Sequence, residues 1–139
     1  MASSSKQLTS KQLASKSAAF ADDKKAQDIV ILDMRKLVNF CDFFVIATGT
    51  SDRHVKAIAQ GVEIELADMG VHVNLGKGAK NLAVFNSNAE HGAWMLLDMG
   101  DVVVHVFESD AREFYGLEHL WQDAPVIVPK VKSSRKPKS

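Results

Sequence analysis

Two aspartates, Asp98 and Asp101, lie three positions apart between two apolar runs, and they are the first candidates for chemistry. A carboxylate pair could bind a divalent cation, because hard cations prefer oxygen ligands. Aspartate and glycine are also typical of tight turns, and this second interpretation is favoured because Gly100 lies between the two acids. The sequence therefore predicts solvated acids beside a turn, with no metal and no cofactor.

Histidine and cysteine are the other candidates. The five histidines, at positions 54, 72, 91, 105 and 119, show no metal-binding spacing, and Cys41 has no CxxC partner. Gly49-Thr50-Ser51 precedes a predicted helix, whose N-terminus could bind a phosphate. Neither a GxGxxG pattern nor a P-loop lysine accompanies it, so a capped glycine turn is favoured. No enzymatic constellation is predicted.

The bulk composition indicates one ordinary globular domain. The chain has 139 residues, of which 46% are hydrophobic and 24% charged. A single cysteine excludes an intramolecular disulfide and is typical of a reducing compartment, so we expect a cytoplasmic protein. No apolar run approaches the roughly 18 residues of a membrane-spanning helix. The Ser- and Lys-rich start is similar in composition to an organellar targeting peptide, but it lacks arginine and carries helix signals.

Charge is distributed unevenly along the chain. The residues from Asp22 to Pro129 contain all 17 acids but only 9 of the 17 bases, which leaves a formal charge of −8. The remaining bases lie in the two ends, which contain no acid. An acidic body argues against nucleic-acid binding and favours a basic protein as partner. The alternative is that the acidic surface only maintains solubility.

Hydrophobic spacing predicts a mixed β-sheet with helices, of the α/β or α+β class. We predict helices from about Ser10 to Gln27 behind a Thr9–Gln12 capping box, from Ser51 to Gly70, and after a Ser109 cap. Predicted strands are Asp28–Asp33, Phe43–Ala47, Val71–Leu75, Leu82–Phe85, and a hairpin of Trp94–Asp98 and Asp101–Phe107 around Met99-Gly100. The expected organisation is a disordered 1–8, one domain over 9–125, and a basic C-terminal tail over 126–139.

The two faces of this hairpin differ. The predicted register places Asp98 opposite Asp101, and Trp94 opposite His105. One face is plain core and consists of Met95, Leu97, Val102, Val104 and Val106. The other carries Trp94, Leu96, Val103, His105 and Phe107. Either a helix buries this second face around a hydrogen-bonded histidine, or the face binds a partner, and the sequence supports both interpretations equally.

The final helix is predicted to have a charged side. Residues at spacings of three and four place Glu108, Arg112, Tyr115 and Glu118 opposite Phe114, Leu117 and Trp121. Tyr and Trp commonly supply hot-spot energy, and acids at a rim steer a basic partner. The predicted partner-binding residues are Trp94, Leu96, Asp98, Asp101, His105, Glu108, Arg112, Tyr115 and Glu118.

Three stretches together resemble the ribosomal silencing factor family, also called Iojap-related. They are CDFFVIATGTSDRHVKAIA, WMLLDMGDVVVHVF and SDAREFYGLEHLWQDAP, and DKKAQDIVILDM fits the family's opening strand. The resemblance implies a nucleotidyltransferase-like sheet without catalytic carboxylates. It also implies a translational repressor that binds the large ribosomal subunit, on the ribosomal protein numbered fourteen in the large-subunit series, and blocks joining of the small subunit. A homodimer is implied as well.

The chain departs from the family pattern in one segment. Ser87 and Asn88 occupy positions where family members usually carry Glu-Gly, and the segment from Val71 to Gly92 is longer than usual. Two alternative functions remain open: an enzyme acting on nucleotides, and a dimeric adaptor unrelated to ribosomes.

Overall fold

The computed structural model describes residues 8–71, 83–85 and 92–129. The strands in these ranges are β1 Gln27–Asp33, β2 Phe43–Gly49, β3 Ala83–Phe85, β4 Trp94–Asp98, β5 Val102–Glu108 and β6 Val126–Ile127. The helices are α1 Ser10–Asp23, α2 Asp52–Asp68, α3 Ser109–Tyr115 and α4 Leu117–Leu120. The strands form one sheet in the order β3-β4-β5-β2-β1-β6. The predicted mixed sheet with helices, in a single domain, is confirmed.

Strand β2 lies at the centre of the sheet. Each of its seven residues is buried, as its β-branched and aromatic composition favours. It pairs in parallel with β5 and antiparallel with β1. A parallel pair needs a long crossover connection, and α2 is the helical part of that connection.

Helix α1 begins as predicted and ends early. Thr9 Oγ1 accepts a hydrogen bond from the Gln12 backbone N–H, and Gln12 Oε1 accepts one from the Thr9 N–H, which confirms the capping box. The predicted end near Gln27 is wrong by four residues. Lys25 adopts a φ of 69°, a left-handed conformation that a helix cannot continue through. The chain turns there and enters β1.

Helices α1 and α2 cover one face of the sheet, which we call the first face. Its hydrophobic core includes the small residues Ala14, Ala18 and Ala21 of α1, whose size lets the helix lie close to its neighbours. From α2 it includes Val55, Ile58, Ala59, Val62 and Leu66, and from the hairpin Met95, Leu97, Val102, Val104 and Val106. The predicted core face of the hairpin is thus confirmed.

The hairpin register differs from the prediction. Trp94 lies opposite Phe107, Leu96 opposite His105, and Asp98 opposite Val103, so the loop is Gly100-Asp101 rather than Met99-Gly100. Gly100 adopts a φ of 88° at the first loop position, where this conformation is needed for a type II′ turn. The direct opposition of Asp98 and Asp101 is therefore wrong. The shift is an even number of residues, so the two faces keep their members.

The final helical segment is two short helices rather than one. Glu108, not Ser109, is the N-cap of α3, because its Oε1 accepts from the Asp110 N–H. Gly116 adopts the left-handed conformation and ends α3, and α4 follows directly. This break interrupts the helical period on which the predicted apolar side depended.

Other predicted elements have mixed outcomes. The Ser51 cap and the turn at Gly70 are confirmed, as is a short strand within Leu82–Phe85. Four of the five residues of the predicted strand Val71–Leu75 lie outside the described residues, as do the terminal segments 1–7 and 130–139. Strand β6 pairs with β1, so the sheet extends into the predicted C-terminal tail.

Candidate functional site: a partly covered aromatic face

The other face of the sheet, which we call the second face, is covered by the short helices α3 and α4. Its centre is buried, with Phe44 and Ile46 of β2 and Phe107 of β5 packed against Ala111 of α3. Over β4 the helices do not cover this face completely, because Trp94 and Leu96 are only half-buried. The protein's own helices therefore bury most of this face, and a half-open flank remains along β4.

His105 lies under this cover, with 4% of its surface exposed. The indole Nε1–H of Trp94 donates to its Nδ1 over 3.2 Å. An indole N–H can only donate, so the imidazole carries its proton on Nε2. Burial lowers the pKa of His105 to about 3, so the ring is neutral at physiological pH. The ring is not accessible in this structure, which disfavours the predicted direct contact between His105 and a partner.

Tyr115 belongs to the aromatic packing rather than to a charged outer side. Its ring lies 4.7 Å from that of Trp94 and 6.3 Å from that of Phe107, measured between centroids. Its neighbour Phe114 is instead 58% exposed, although the helical spacing predicted it to face the core. The Gly116 break and the brevity of α3 explain this exchange of roles. Trp121 remains in the packing, 6.2 Å from Phe44.

Arg112 connects four parts of the fold. Its Nε and Nη2 donate to the two carboxylate oxygens of Glu118, over 2.8 and 2.9 Å. Its Nη1 donates to Thr48 Oγ1 and to the Asp28 carbonyl oxygen, over 2.6 and 2.7 Å. The two hydrogen bonds from Arg112 to its carboxylate hold the pKa of Glu118 below its usual value. The charged side predicted for one continuous helix is instead a pair of side chains from α3 and α4 that bridges the Gly116 break.

The two acids of the hairpin turn lie at the opposite end of β4 from Trp94. Asp98 Oδ1 accepts from the Gly100 N–H, while Asp101 is exposed and its carbonyl accepts from the Asp42 and Phe43 N–H groups. Burial, followed by the negative charge of Asp42 and the two turn acids, raises the pKa of Cys41 to about 11. This thiol is therefore protonated at neutral pH. The turn end of the hairpin is an acidic corner of the molecule.

The predicted site residues thus form two groups. On the second face, the structure brings together the rings of Trp94, His105 and Tyr115, and it pairs Arg112 of α3 with Glu118 of α4. Glu108, at the N-cap of α3, lies at the same end of β5. The turn acids Asp98 and Asp101 lie at the far end of the strands. Sequence reasoning missed Thr48, whose hydroxyl bonds Arg112, and the exposure of Phe114 and Leu120, which no helical period could indicate.

The start of α2 is occupied by the protein's own groups. The Thr50 N–H donates to His54 Nδ1, and the His54 N–H donates to Ser51 Oγ. Gly49 is required because a Cβ there would lie 2.9 Å from atoms of Val55. Two amides that a phosphate would need are already bonded, which disfavours a nucleotide at this turn. The favoured interpretation of a capped glycine turn is supported.

No group of three or more His, Cys, Asp or Glu side chains among residues 8–71, 83–85 and 92–129 could hold a metal ion. In the same part of the chain, none of the helices has the length and hydrophobicity needed to cross a membrane.

Comparisons with known proteins give a consistent result. The family described as ribosomal silencing factor during starvation matches residues 7–139. The ribosomal silencing factor of Bacillus subtilis is 39% identical over 119 residues, which cover 86% of this chain and 92% of that protein. The chloroplastic Iojap protein of Zea mays is 35% identical over 113 residues, 81% of this chain and 45% of that protein.

Solved structures agree with the sequence relatives. A crystal structure from Chromobacterium violaceum superposes with a TM-score of 0.70 at 30% identity, covering 94% of this chain and 92% of the other. One from Bacillus halodurans gives a TM-score of 0.60 at 38% identity, covering 84% and 93%. The matched family spans nearly the whole chain, including the sheet and both helix layers described above. This protein belongs to the ribosomal silencing factor family.

Proposed function

We propose that the protein is a non-catalytic repressor of translation that binds the large ribosomal subunit and blocks its joining with the small subunit. Family membership over residues 7–139 is the single observation that carries this proposal. The relatives in bacteria are named ribosomal silencing factors, a name that fits regulation of translation. In this proposal the bound protein blocks subunit joining sterically, so it needs a surface that binds the large subunit and no catalytic group.

The docking partner we propose is the ribosomal protein numbered fourteen in the large-subunit series. The acidic body supports a basic protein, because its formal charge of −8 attracts positive surfaces during encounter. The half-open flank along β4 supports the location. Trp94 and Leu96 offer apolar area there, and α3 carries the exposed Asp110, Glu113 and Phe114. Aromatic area with an acidic rim is a common composition for such an interface.

Co-sedimentation with purified large subunits tests the binding step. We expect the full chain to sediment with large subunits and not with small subunits. In a second measurement, the full chain in excess over separated subunits should lower the fraction that joins. Unchanged joining in the presence of folded protein would overturn the proposal.

Charge reversal at two exposed glutamates tests where the proposed interface lies. Glu113→Lys reverses a charge on α3, and Glu65→Lys makes the same change on α2, over the first face. We expect Glu113→Lys to slow association with large subunits and to weaken its dependence on salt, as rim charges usually do. Glu65→Lys should behave as the wild type. If both variants slow association equally, the interface does not lie at α3, or the attraction depends only on the net charge of the protein.

A homodimer and the location in the cell are part of this proposal. Phe40, Leu120, Val126 and Val128 are exposed apolar residues, and surface of this kind could hold a second copy. Light scattering at micromolar concentration should then report twice the monomer mass, and the monomer mass alone would contradict the dimer. A ribosome-binding factor acts where ribosomes are, so we propose the cytoplasm, with an organelle as the alternative that the chloroplastic relative indicates.

A further inference from the structure

A polar ring in an apolar strand needs an explanation. β5 reads VVVHVFE, and the residues on either side of His105 are buried valines. The neighbours of the imidazole on the second face are Ile46 and Leu96 across the two strand pairings, and the Phe44 ring, 4.7 Å away and nearly perpendicular. An aliphatic residue would pack against these neighbours, but it would leave the Trp94 indole N–H without its acceptor. The histidine therefore contributes something that packing does not require.

The imidazole is only half satisfied. Its Nδ1 accepts from Trp94, but its Nε2 is buried and has no hydrogen-bond partner within the described part of the chain. Since Nδ1 is the acceptor, Nε2 carries the proton and is a buried donor without an acceptor. Such a group costs free energy relative to an apolar side chain. The unpartnered Nε2–H thus lowers stability, and this cost points to a role for the ring beyond packing.

Within the described ranges, the one hydrogen bond of the His105 side chain joins it to Trp94, at the half-open flank. Trp94 is half-buried, with one ring edge against His105 and its plane near Tyr115 and Phe107. Ring packing alone would restrict the plane of the indole. The bond from Nε1 to Nδ1 in addition fixes which edge points inward and which edge faces the flank.

We propose that His105 is a positioning residue, whose buried Nδ1 fixes the Trp94 indole in the orientation that the basic partner binds. This inference rests on the proposed function, since Trp94 is placed in the interface there. His105 acts only through Trp94 and does not touch the partner. Because burial holds the pKa of His105 to about 3, the acceptor is present at every physiological pH and the device is not a pH switch.

Two substitutions of His105 distinguish the effect of its hydrogen-bond acceptor from the effect of its side-chain volume. His105→Leu has a similar volume and removes the acceptor. His105→Asn places Oδ1 at the same branch position as Nδ1, so it can accept from the indole N–H. In the full chain, the indole N–H resonance of Trp94 reports the bond directly, and Trp121, the second tryptophan, is an internal reference. We expect His105→Leu to shift the Trp94 resonance, and His105→Asn to leave it near the wild-type position.

Binding and stability measurements then separate positioning from packing. We expect His105→Leu to weaken binding to large subunits by about five- to tenfold, the equivalent of one hydrogen bond. Its Tm should change little, because the variant removes a buried unpartnered donor but also leaves the half-buried Trp94 N–H without its acceptor. His105→Asn should restore the affinity. The double variant Trp94→Phe with His105→Leu should bind no more weakly than Trp94→Phe alone, because His105 acts through the indole.

Each contrary outcome has a definite meaning. If Trp94→Phe weakens binding and His105→Leu does not, the positioning role is overturned while the proposed function stands. If both His105 variants lower Tm and affinity together, the residue is structural and the inference is overturned. If Trp94→Phe leaves affinity unchanged, the inference is also overturned. If the wild-type chain fails to sediment with large subunits, the proposed function falls, and this inference falls with it.

Discussion

The two faces of the sheet are built in different ways. Two helices of 14 and 17 residues cover the first face, and every residue that the hairpin points toward them is buried. Two helices of 7 and 4 residues cover the second face, and they leave Trp94 and Leu96 half-buried. The hairpin residues on the first face are all apolar, whereas the second face contains a histidine, an arginine and a threonine in hydrogen bonds. We therefore expect stability to be concentrated on the first face, and we place the proposed binding surface on the second.

The largest expected effect is the truncation of an apolar residue on the first face. Ile58 is fully buried between α2 and the sheet, so Ile58→Ala removes packed atoms and leaves a cavity. We expect a loss of about 3–4 kcal/mol in the free energy of unfolding, measured by urea denaturation. Leu117→Ala on the second face should cost less, about 1–2 kcal/mol, because Leu117 is only half-buried and water can fill part of the space. Equal losses would contradict the difference between the faces.

The next effect concerns the arginine that joins α3 and α4 to the sheet. Arg112 has 13% of its side chain exposed and makes four hydrogen bonds, so Arg112→Ala leaves Thr48 and the Asp28 carbonyl without it. We expect a loss of about 2–3 kcal/mol. Arg112→Lys should recover only part of it, because an ammonium cannot form the planar fork.

Glu118→Gln is the control for this pair. The Glu118 side chain is 42% exposed, so solvent screens its attraction to Arg112, and we expect a loss below about 1 kcal/mol. A loss as large as that of Arg112→Ala would show that the ion pair, and not the bonds to Thr48 and Asp28, anchors the two short helices.

The second face should also make stability depend on pH, because it contains the buried His105. The pKa of His105 is lowered to about 3 in the folded protein, from 6.5 in an unfolded chain. As pH falls below 6.5, the unfolded chain therefore takes up a proton that the folded protein does not, and stability decreases until pH 3. Between pH 7 and pH 5 this histidine should cost about 2 kcal/mol. Asp33 and Glu118, whose pKa values are also lowered, lose their contributions only at more acidic pH.

His105→Asn removes this contribution and leaves the other histidines in place. Denaturation curves of the two proteins at pH 7 and pH 5 should therefore show a smaller loss for the variant, by about 2 kcal/mol. The same loss in both proteins would mean that the imidazole is not held neutral in the folded state.

The sequence predicted the first face better than the second, for physical reasons. Long helices and the valines of β5 have regular periods, so α2, the Thr9–Gln12 capping box and the core side of the hairpin could be predicted. The hairpin loop was misplaced by one residue because Met99-Gly100 and Gly100-Asp101 both fit a glycine turn. The residues around Gly116 do not show whether this glycine ends a helix or lies within one, so the break between α3 and α4 was not predicted. The Arg112 bonds to Thr48 and Asp28 join residues far apart in sequence, and no spacing rule predicts them.

The smallest expected effect on stability belongs to the residue best suited to test the binding side. Phe114 is 58% exposed on α3, and Ile64 is 60% exposed on α2, so the two alanine substitutions remove apolar side chains of similar exposure from opposite faces. Neither should change the free energy of unfolding by more than about 0.5 kcal/mol, because the positions are on the surface. Tyr115→Ala, by contrast, should destabilise the protein, since its ring packs on Trp94 and Phe107.

The affinity for large subunits should differ clearly between Phe114→Ala and Ile64→Ala. Phe114 contacts Tyr115, which in turn packs on Trp94 of the half-open flank, so we expect this exposed aromatic ring to contact the proposed partner. We expect Phe114→Ala to weaken co-sedimentation with large subunits by about 1–3 kcal/mol, while Ile64→Ala binds as the wild type. If Ile64→Ala weakens binding and Phe114→Ala does not, the partner contacts the first-face helices, and the division into a stabilising and a binding side is wrong.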